Sequence, residues 1–340
     1  MKLNPLSKNG PLVSVLALGA MTFGAETSAE EAGRMLDLFA ERGGTLIDTA
    51  DVYGNGVSEE IIGDWGRARG GLDDLIIATK GRFLPPAGSR GASRRSLMRS
   101  VEASLRRLRV EAIDLYYVHG WDRHTDVAET LTTLGDLVRA GKIHNIAWSN
   151  VTGWQLERIL GTARQLGLPA PVAVQPQYNL LDRGLELEVL PCCLENNVSL
   201  VPWSPLGGGW LTGKYSPDTL PTGKTRLGED PGRGMEAWEL RNNARTKAVL
   251  ETLTSIAERL NRPPAHVALA WLTARPGVAS VLVGARTCEQ LADNLAAADL
   301  VLDQADQDAL TKVSSTGLPP YPYGFQEFWS EMDVWKRLGT

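Results

Sequence analysis

The sequence predicts a closed (β/α)8 barrel, a TIM barrel, on three observations. Short apolar, β-branched runs alternate with longer segments of helical periodicity eight times along 340 residues. Composition does not shift between the two halves, so residues 1–340 read as one domain. A doubly wound dinucleotide-binding sheet would place G-x-G-x-x-G straight after a strand, and no such motif stands in that context.

The strand candidates are residues 13–19 (VSVLALG), 45–50 (TLIDTA), 75–80 (LIIATK), 112–120 (AIDLYYVHG), 144–150 (HNIAWSN), 172–179 (VAVQPQYN), 198–205 (VSLVPWSP) and 278–285 (VASVLVGA). Ahead of the first, KLNPL is expected to form a small N-terminal hairpin closing the barrel bottom. In SAEEAGRMLDLFAERGG, Ser28 and Glu31 have the spacing of a capping box. In SRRSLMRSVEASLRRLR, Leu97, Val101, Leu105 and Leu108 recur at helical spacing. TDVAETLTTLGDLVRAGK ends at Gly141, which suits a helix stop. From Gly207 to about Arg245 the chain is rich in Gly and Pro without periodicity, and structureless stretches of that length are usually functional. The tail 316–340 concentrates aromatics that either cover a cavity or pack as a strap on the barrel wall.

Hydrophobic residues make up 43% and charged residues 22%, values of a globular chain with a substantial core. The net charge of −5 gives a nucleic-acid partner no electrostatic support. Cys192, Cys193 and Cys288 form no disulfide framework and no zinc spacing. The start MKLNPLSKNG lacks the apolar region of a secretory signal, and no apolar run is long enough for a bilayer. A cytoplasmic protein with a small-molecule substrate and no membrane partner is the expectation, and oligomeric state has no signature here.

Chemistry in such a barrel sits at the C-terminal ends of the strands. Those ends carry Asp48 and then Tyr53, Lys80, His119, Ser149 with Asn150, Gln175, Trp203 and Gly284, above apolar strand interiors. Four of them make a proton-transfer device. A free phenol has a pKa of about 10, too high for an efficient donor near neutrality. An ammonium at Lys80 favours the phenolate of Tyr53, Asp48 holds Lys80 charged, and His119 polarises a carbonyl oxygen. Taken singly each has a plain alternative: a helix cap, a loop tyrosine, a solvated lysine, a satisfied structural histidine. Their convergence on three neighbouring strands favours the joint role. WSPLGGGWLTGKY (203–215) places Gly208, Gly213 and Lys214 at P-loop spacing, but Tyr215 replaces the magnesium-binding hydroxyl and Pro217 prevents the helix a P-loop needs.

LIDTADVYGNGVSEEIIGDW, IIATK, IDLYYVHGWD, WSN, QPQYN, WSPLGGGWLTGKY and VLVGARTCEQLADN, in that order, resemble the aldo-keto reductases from about Leu12 to about Leu300. Trp203 brings the chain nearest the branch of potassium-channel β subunits and their bacterial relatives. The resemblance implies NADPH bound in an extended form beside a tetrad of Asp48, Tyr53, Lys80 and His119. It implies Ser149, Asn150 and Gln175 at the carboxamide, and Trp203 on the nicotinamide face. Ser204, Pro205, Leu206, Gly207, Gly208 and Lys214 would line the pyrophosphate, which makes the glycine-rich stretch a strap with Lys214 as a point charge. Arg226 aligns more loosely. Arg286, Gln290 and Asn294 fall near the adenosine, with Gly284 allowing close backbone approach. Ala20, beside Met21 at the cofactor edge, stands where many relatives of this branch carry threonine, which loses a hydroxyl contact. Arg286, supported by Lys214 or Arg226, favours NADP(H), because a 2′-phosphate suits a guanidinium; a surface arginine is the alternative.

Substrate liners are expected among Met21, Phe23, Tyr53, Phe83, Trp121, Trp148 and the aromatic tail, which favours a hydrophobic or ring-shaped substrate. Arg82, Arg90, Arg94 and Arg95 near the mouth either attract an acidic substrate or form an ordinary solvated surface, the preferred reading. The function read from the sequence is reversible NADPH-dependent reduction of an aldehyde or ketone. One alternative is an NADP+-dependent dehydrogenase of a secondary alcohol. Another is a redox-sensing, cofactor-binding module, against which the complete tetrad speaks. A metal hydrolase is disfavoured: His119, His124, His144 and His266 include no pair at ligand spacing on one strand.

Overall fold

The computed structural model describes residues 1–8, 10–83 and 91–339. An antiparallel hairpin, β1 (Leu3–Pro5) and β2 (Leu12–Ser14), precedes eight parallel strands. These are β3 (Leu16–Gly19), β4 (Leu46–Asp48), β5 (Ile76–Gly81), β6 (Ile113–Val118), β7 (Ile143–Ser149), β8 (Ala173–Gln175), β9 (Ser199–Leu200) and β10 (Val281–Gly284), neighbours in the order β10-β3-β4-β5-β6-β7-β8-β9. The ring closes between β9 and the approach to β10: Leu200 N donates to Gly277 O (2.7 Å) and Ala279 N to Leu200 O (3.0 Å). The fold is a (β/α)8 barrel.

Helices α1 (Ala29–Glu41), α2 (Val57–Arg69), α3 (Arg94–Leu108), α4 (Val127–Arg139), α5 (Gly153–Leu166) and α6 (Val189–Asn196) follow β3 to β8 in turn. After β9 come the single turns α7 (Arg226–Glu229) and α8 (Trp238–Arg241), then α9 (Ala244–Leu260) and α10 (Pro264–Thr273). After β10 come α11 (Cys288–Leu295), α12 (Gln304–Ser314), α13 (Phe325–Trp329) and α14 (Val334–Leu338). No helix among the described residues is long and apolar enough to cross a membrane.

The run expected as one strand over 13–19 is divided. Residues 12–14 belong to the hairpin and 16–19 to the barrel. The break is fastened by Ser14, whose hydroxyl donates to Leu16 O (2.7 Å) and whose amide donates to Thr45 Oγ1 (2.8 Å). The turn after β1 drops Leu6 into the barrel floor, fully buried with Val13, Ala17, Leu46, Leu115 and Tyr117. The lumen is thus a packed core whose lower layers are apolar.

Local signals act as read, with one substitution of partner. Ser28 accepts from Glu31 N (3.2 Å), but the Glu31 carboxylate accepts from Cys288 N (2.6 Å) instead of closing the capping box, tying α1 to α11. Gly141 takes φ +67° just past α4 and donates to Val138 O (3.0 Å). Leu97, Val101, Leu105 and Leu108 are buried. The stretch after β9 is irregular apart from single turns, and is held by Trp210, whose indole donates to Glu236 O (2.9 Å), and Trp238, whose indole donates to Ser216 O (3.1 Å). In the tail, α14 packs on the wall through Trp335 Nε1 to Leu187 O (3.0 Å), while Tyr321, Phe328 and Trp329 stay exposed.

Truncating the floor plug, Leu6→Ala, removes apolar contacts from a fully buried position and should cost about 2–5 kcal/mol in urea unfolding. The exposed Val301→Ala should stay within about 0.5 kcal/mol.

Candidate active site

The site follows from the period of two along a strand. Leu46, Ala78, Tyr117, Ala147, Ala173 and Val201 belong to the lumen core. Two residues further along each strand come Asp48, Lys80, His119, Ser149, Gln175 and Trp203, so the same face that is apolar below is polar at the rim. Backbone pairing continues past β4, with Thr49 N donating to Ala78 O (2.8 Å) and Asp51 N to Lys80 O (2.9 Å), which fixes the β4 exit against β5. The turn 53–56 then brings Tyr53 back over the rim.

Lys80 has no solvent exposure. Its ammonium contacts Asp48 Oδ1, donates to Thr49 O (2.8 Å) and lies 3.5 Å from the Tyr53 hydroxyl. The other Asp48 oxygen accepts from Gln175 Nε2 (2.8 Å). Burial alone would drive the Lys80 pKa down; Asp48 and Tyr53 outweigh it, so the pKa is raised and the group stays an ammonium. Tyr53 departs from expectation. Burial pushes the phenol pKa up more than Lys80 pulls it down, and Asp48 adds to the rise, so the net direction is upward and the phenol keeps its proton.

His119 stacks edge-on to Tyr53 (centroids 6.0 Å apart) and lies 5.0 Å from Phe83. Burial, then the positive charges of Lys80 and Arg82, lower its pKa to about 3, so the imidazole is neutral near pH 7. Its Nδ1 is buried and has no hydrogen-bond partner among the described residues.

Some of the residues expected around a cofactor are joined to one another at the strand ends. Ser149 Oγ donates to Gln175 O (2.8 Å), Asn150 Nδ2 to His119 O (3.2 Å), and Trp203 Nε1 to Asn150 Oδ1 (3.1 Å). Ala20 is buried under the β4 exit and donates to Asp48 O (2.8 Å), while Met21 is exposed. Beyond Ser204 and the buried Pro205, Leu206 leads into Gly207, Gly208 and Gly209, all with positive φ. Gly209 takes φ +101°, a conformation that favours glycine, and Lys214 Cε lies 2.6 Å from where its Cβ would stand. On the far side Gln290 accepts from Arg286 N (2.9 Å), Arg286 pairs with Glu26 (3.2 Å), and Asn294 donates to Gly284 O (3.5 Å). Gly284 itself is exposed with open space at its missing Cβ.

The substrate candidates separate. Phe83 is 40% exposed beside His119, and Trp121 stacks against Trp154 (5.4 Å). Phe23 and Trp148, at 0% and 2% exposure, lie in the core layer between sheet and helices and present no surface to a substrate. Arg82 reaches the Trp121 carbonyl, whereas Arg94 pairs with Asp136 of α4; Arg90 lies outside the described residues. The sequence reading did not find the Thr49 carbonyl, the Gln175 contact to Asp48, or Asp51. The Asp51 carboxyl accepts from Ser100 Oγ (2.9 Å) and burial raises its pKa to about 6. The second acid of IDTAD was the available signal for it.

The model of the aldo/keto reductase family matches residues 15–315. An uncharacterised oxidoreductase, YrpG, of Bacillus subtilis is 34% identical over 317 residues, covering 89% of this chain and 93% of its own. A probable voltage-gated potassium channel subunit beta of Arabidopsis thaliana is 32% identical over 90% of this chain and 96% of its own. An aryl-alcohol dehydrogenase [NADP(+)] of Phanerodontia chrysosporium is 32% identical over 92% and 86% respectively. With a matching model over most of its length and relatives aligned nearly end to end, the chain belongs to the aldo/keto reductase family.

Proposed function

We propose that this oxidoreductase uses NADPH to reduce an aldehyde or ketone to an alcohol, reversibly, with Tyr53 as the proton donor. The observation that carries the reading is the run of contacts from Gln175 through Asp48 and Lys80 to the Tyr53 hydroxyl, at a rim bordered by His119. The residues fit the dinucleotide: Gly207, Gly208 and Gly209 all take positive φ and leave bare backbone for close approach, and the Lys214 ammonium beside them, 5.1 Å from the Tyr215 ring centroid, supplies a positive charge. NADPH when bound supplies the hydride; the chain supplies placement, polarisation and the proton.

The raised phenol pKa keeps Tyr53 protonated and makes it a weaker acid at rest, so transfer waits until negative charge develops on the substrate oxygen. The Lys80 ammonium, 3.5 Å away, then stabilises the phenolate left behind. His119 is neutral, so it polarises the oxygen by donating a hydrogen bond. We assign its proton to Nε2, since a buried Nδ1 lone pair without a partner costs less than a buried N–H without one. The reverse reaction uses the same groups, and the relative named aryl-alcohol dehydrogenase [NADP(+)] favours testing it and supports NADP over NAD.

Tyr53→Phe should retain NADPH binding while turnover falls about 10²–10⁴-fold, read by NADPH absorbance across a panel of carbonyls, and by NADP+ reduction across alcohols. Unchanged turnover would remove Tyr53 from the proposed role. The His119 imidazole should not titrate between about pH 5 and pH 8 in ¹⁵N NMR spectra. Its folded pKa lies below an unfolded value of about 6.5, so it contributes stability at neutral pH that is lost as pH falls from about 6.5 toward 3. A midpoint near the unfolded value would contradict both statements.

A further inference from the structure

We infer that Glu236 is a built-in competitor for the phosphates of the dinucleotide. Its carboxylate fills the cradle beyond β9, and the segment that carries it must release before the cofactor seats. The inference rests on the NADP(H) reading above.

The Glu236 side chain is only 7% exposed. One of its oxygens accepts from the Ser204 hydroxyl, and the other lies 3.5 Å from Arg226 Nη2. That second oxygen comes so close to the strap that a Cβ on Gly208 would lie 2.4 Å from it. Ser204, Gly208 and Arg226 are thus gathered around one carboxylate. A hydroxyl, a left-handed glycine backbone and a guanidinium are also what a phosphate oxygen would take. The set fits the carboxylate incompletely: the guanidinium stands at arm's length, and Arg226 Nε is buried without a hydrogen-bond partner among the described residues. A buried carboxylate is costly unless fully paired, so an arrangement that leaves its cation half-used is poorly suited to stability.

A second contact repeats the pattern. Arg233, on the same segment, lies 3.3 Å from Glu26 Oε1, and that oxygen is 3.2 Å from Arg286 Nη2. Two of the three cations expected at the cofactor phosphates, Arg226 and Arg286, are therefore held by internal carboxylates, while Lys214 lies over the Tyr215 ring. Around Glu236 the segment is anchored at a few points, the Trp210 indole on Glu236 O (2.9 Å) and the buried Ala237 and Arg241, while Met235 and Leu240 are 59% and 61% exposed. Release of Glu236 therefore means breaking the Trp210 contact while the barrel strands stay paired, a local opening of the kind loops undergo. A carboxylate and a pyrophosphate cannot share the cradle, because like charges at contact distance repel. The apparent affinity for the dinucleotide is then the intrinsic affinity multiplied by the fraction of molecules in which Glu236 has left.

The test is NADPH binding to the purified full chain, followed by tryptophan fluorescence at equilibrium and by stopped flow. Glu236→Gln keeps the shape and removes the charge; it should tighten the apparent Kd about tenfold, the factor for an open form near a tenth of the population. In the wild type the observed association rate should level off with rising NADPH, because segment release precedes binding, and in Glu236→Gln that plateau should rise. Wild-type binding with an unchanged or weaker Kd in the variant overturns the inference and leaves the NADP(H) reading standing. An association rate that rises linearly in the wild type also overturns it, and does not depend on the variant folding. NADPH binding to neither protein overturns the NADP(H) reading, and the inference with it.

Discussion

A lysine with no access to water stands one residue before the end of β5, and its charge is sustained by the carboxylate of Asp48 at the end of the neighbouring strand. Taking two such ions out of water costs several kcal/mol each, and only close contact with the remaining valences filled offsets it. The structure meets that demand on both sides. Thr49 O takes a second ammonium proton, and Gln175, 127 positions away in sequence, fills the second Asp48 oxygen across the barrel. The field of this ammonium reaches Tyr53 and His119 in the same sense, opposing the rise of one pKa and deepening the fall of the other. One buried cation therefore acts on both Tyr53 and His119, although burial is the larger influence on each.

The strands were legible because a closed lumen imposes strict alternation, and the rim residues follow from counting two past Leu46, Ala78, Tyr117 and Ala173. The same count places Trp148, one past the lumen-facing Ala147, toward the helices, a signal present in HNIAWSN that the substrate expectation passed over. Phe23 had no such signal, because it lies in the connection after β3, where no period applies. The direction of the Tyr53 pKa was not legible either. Sequence shows that an ammonium is near, but burial, which decides the sign, is a property of the packed loop.

The glycine-rich stretch illustrates how far spacing alone goes. Gly208, Gly213 and Lys214 have the intervals of a P-loop, and the chain nonetheless forms a short tight turn followed by irregular structure. What the intervals encode is a backbone that large groups can approach closely, which Lys214 and Glu236 both do. The carboxylate arrives from a segment without periodicity, so its place there could not be counted out from the sequence.

The far end of the barrel wall also bears on this rim. The carbonyl of Leu338 in α14 accepts from Arg183 (3.2 Å) and Arg275 (2.6 Å), and Arg183 Nε grips Glu186 (3.0 Å). Those residues frame the connection after β8, whose Asn179 donates to Ser204 O (2.9 Å) and whose Tyr178 N donates to Trp203 O (3.4 Å). A guy-line of fixed contacts therefore runs from the last helical turn to the serine that opens the strap, and the aromatic segment before α14 is moored to the same line. That segment is thus tied, through static contacts alone, to Ser204 and not to Asp48, Lys80 or Tyr53.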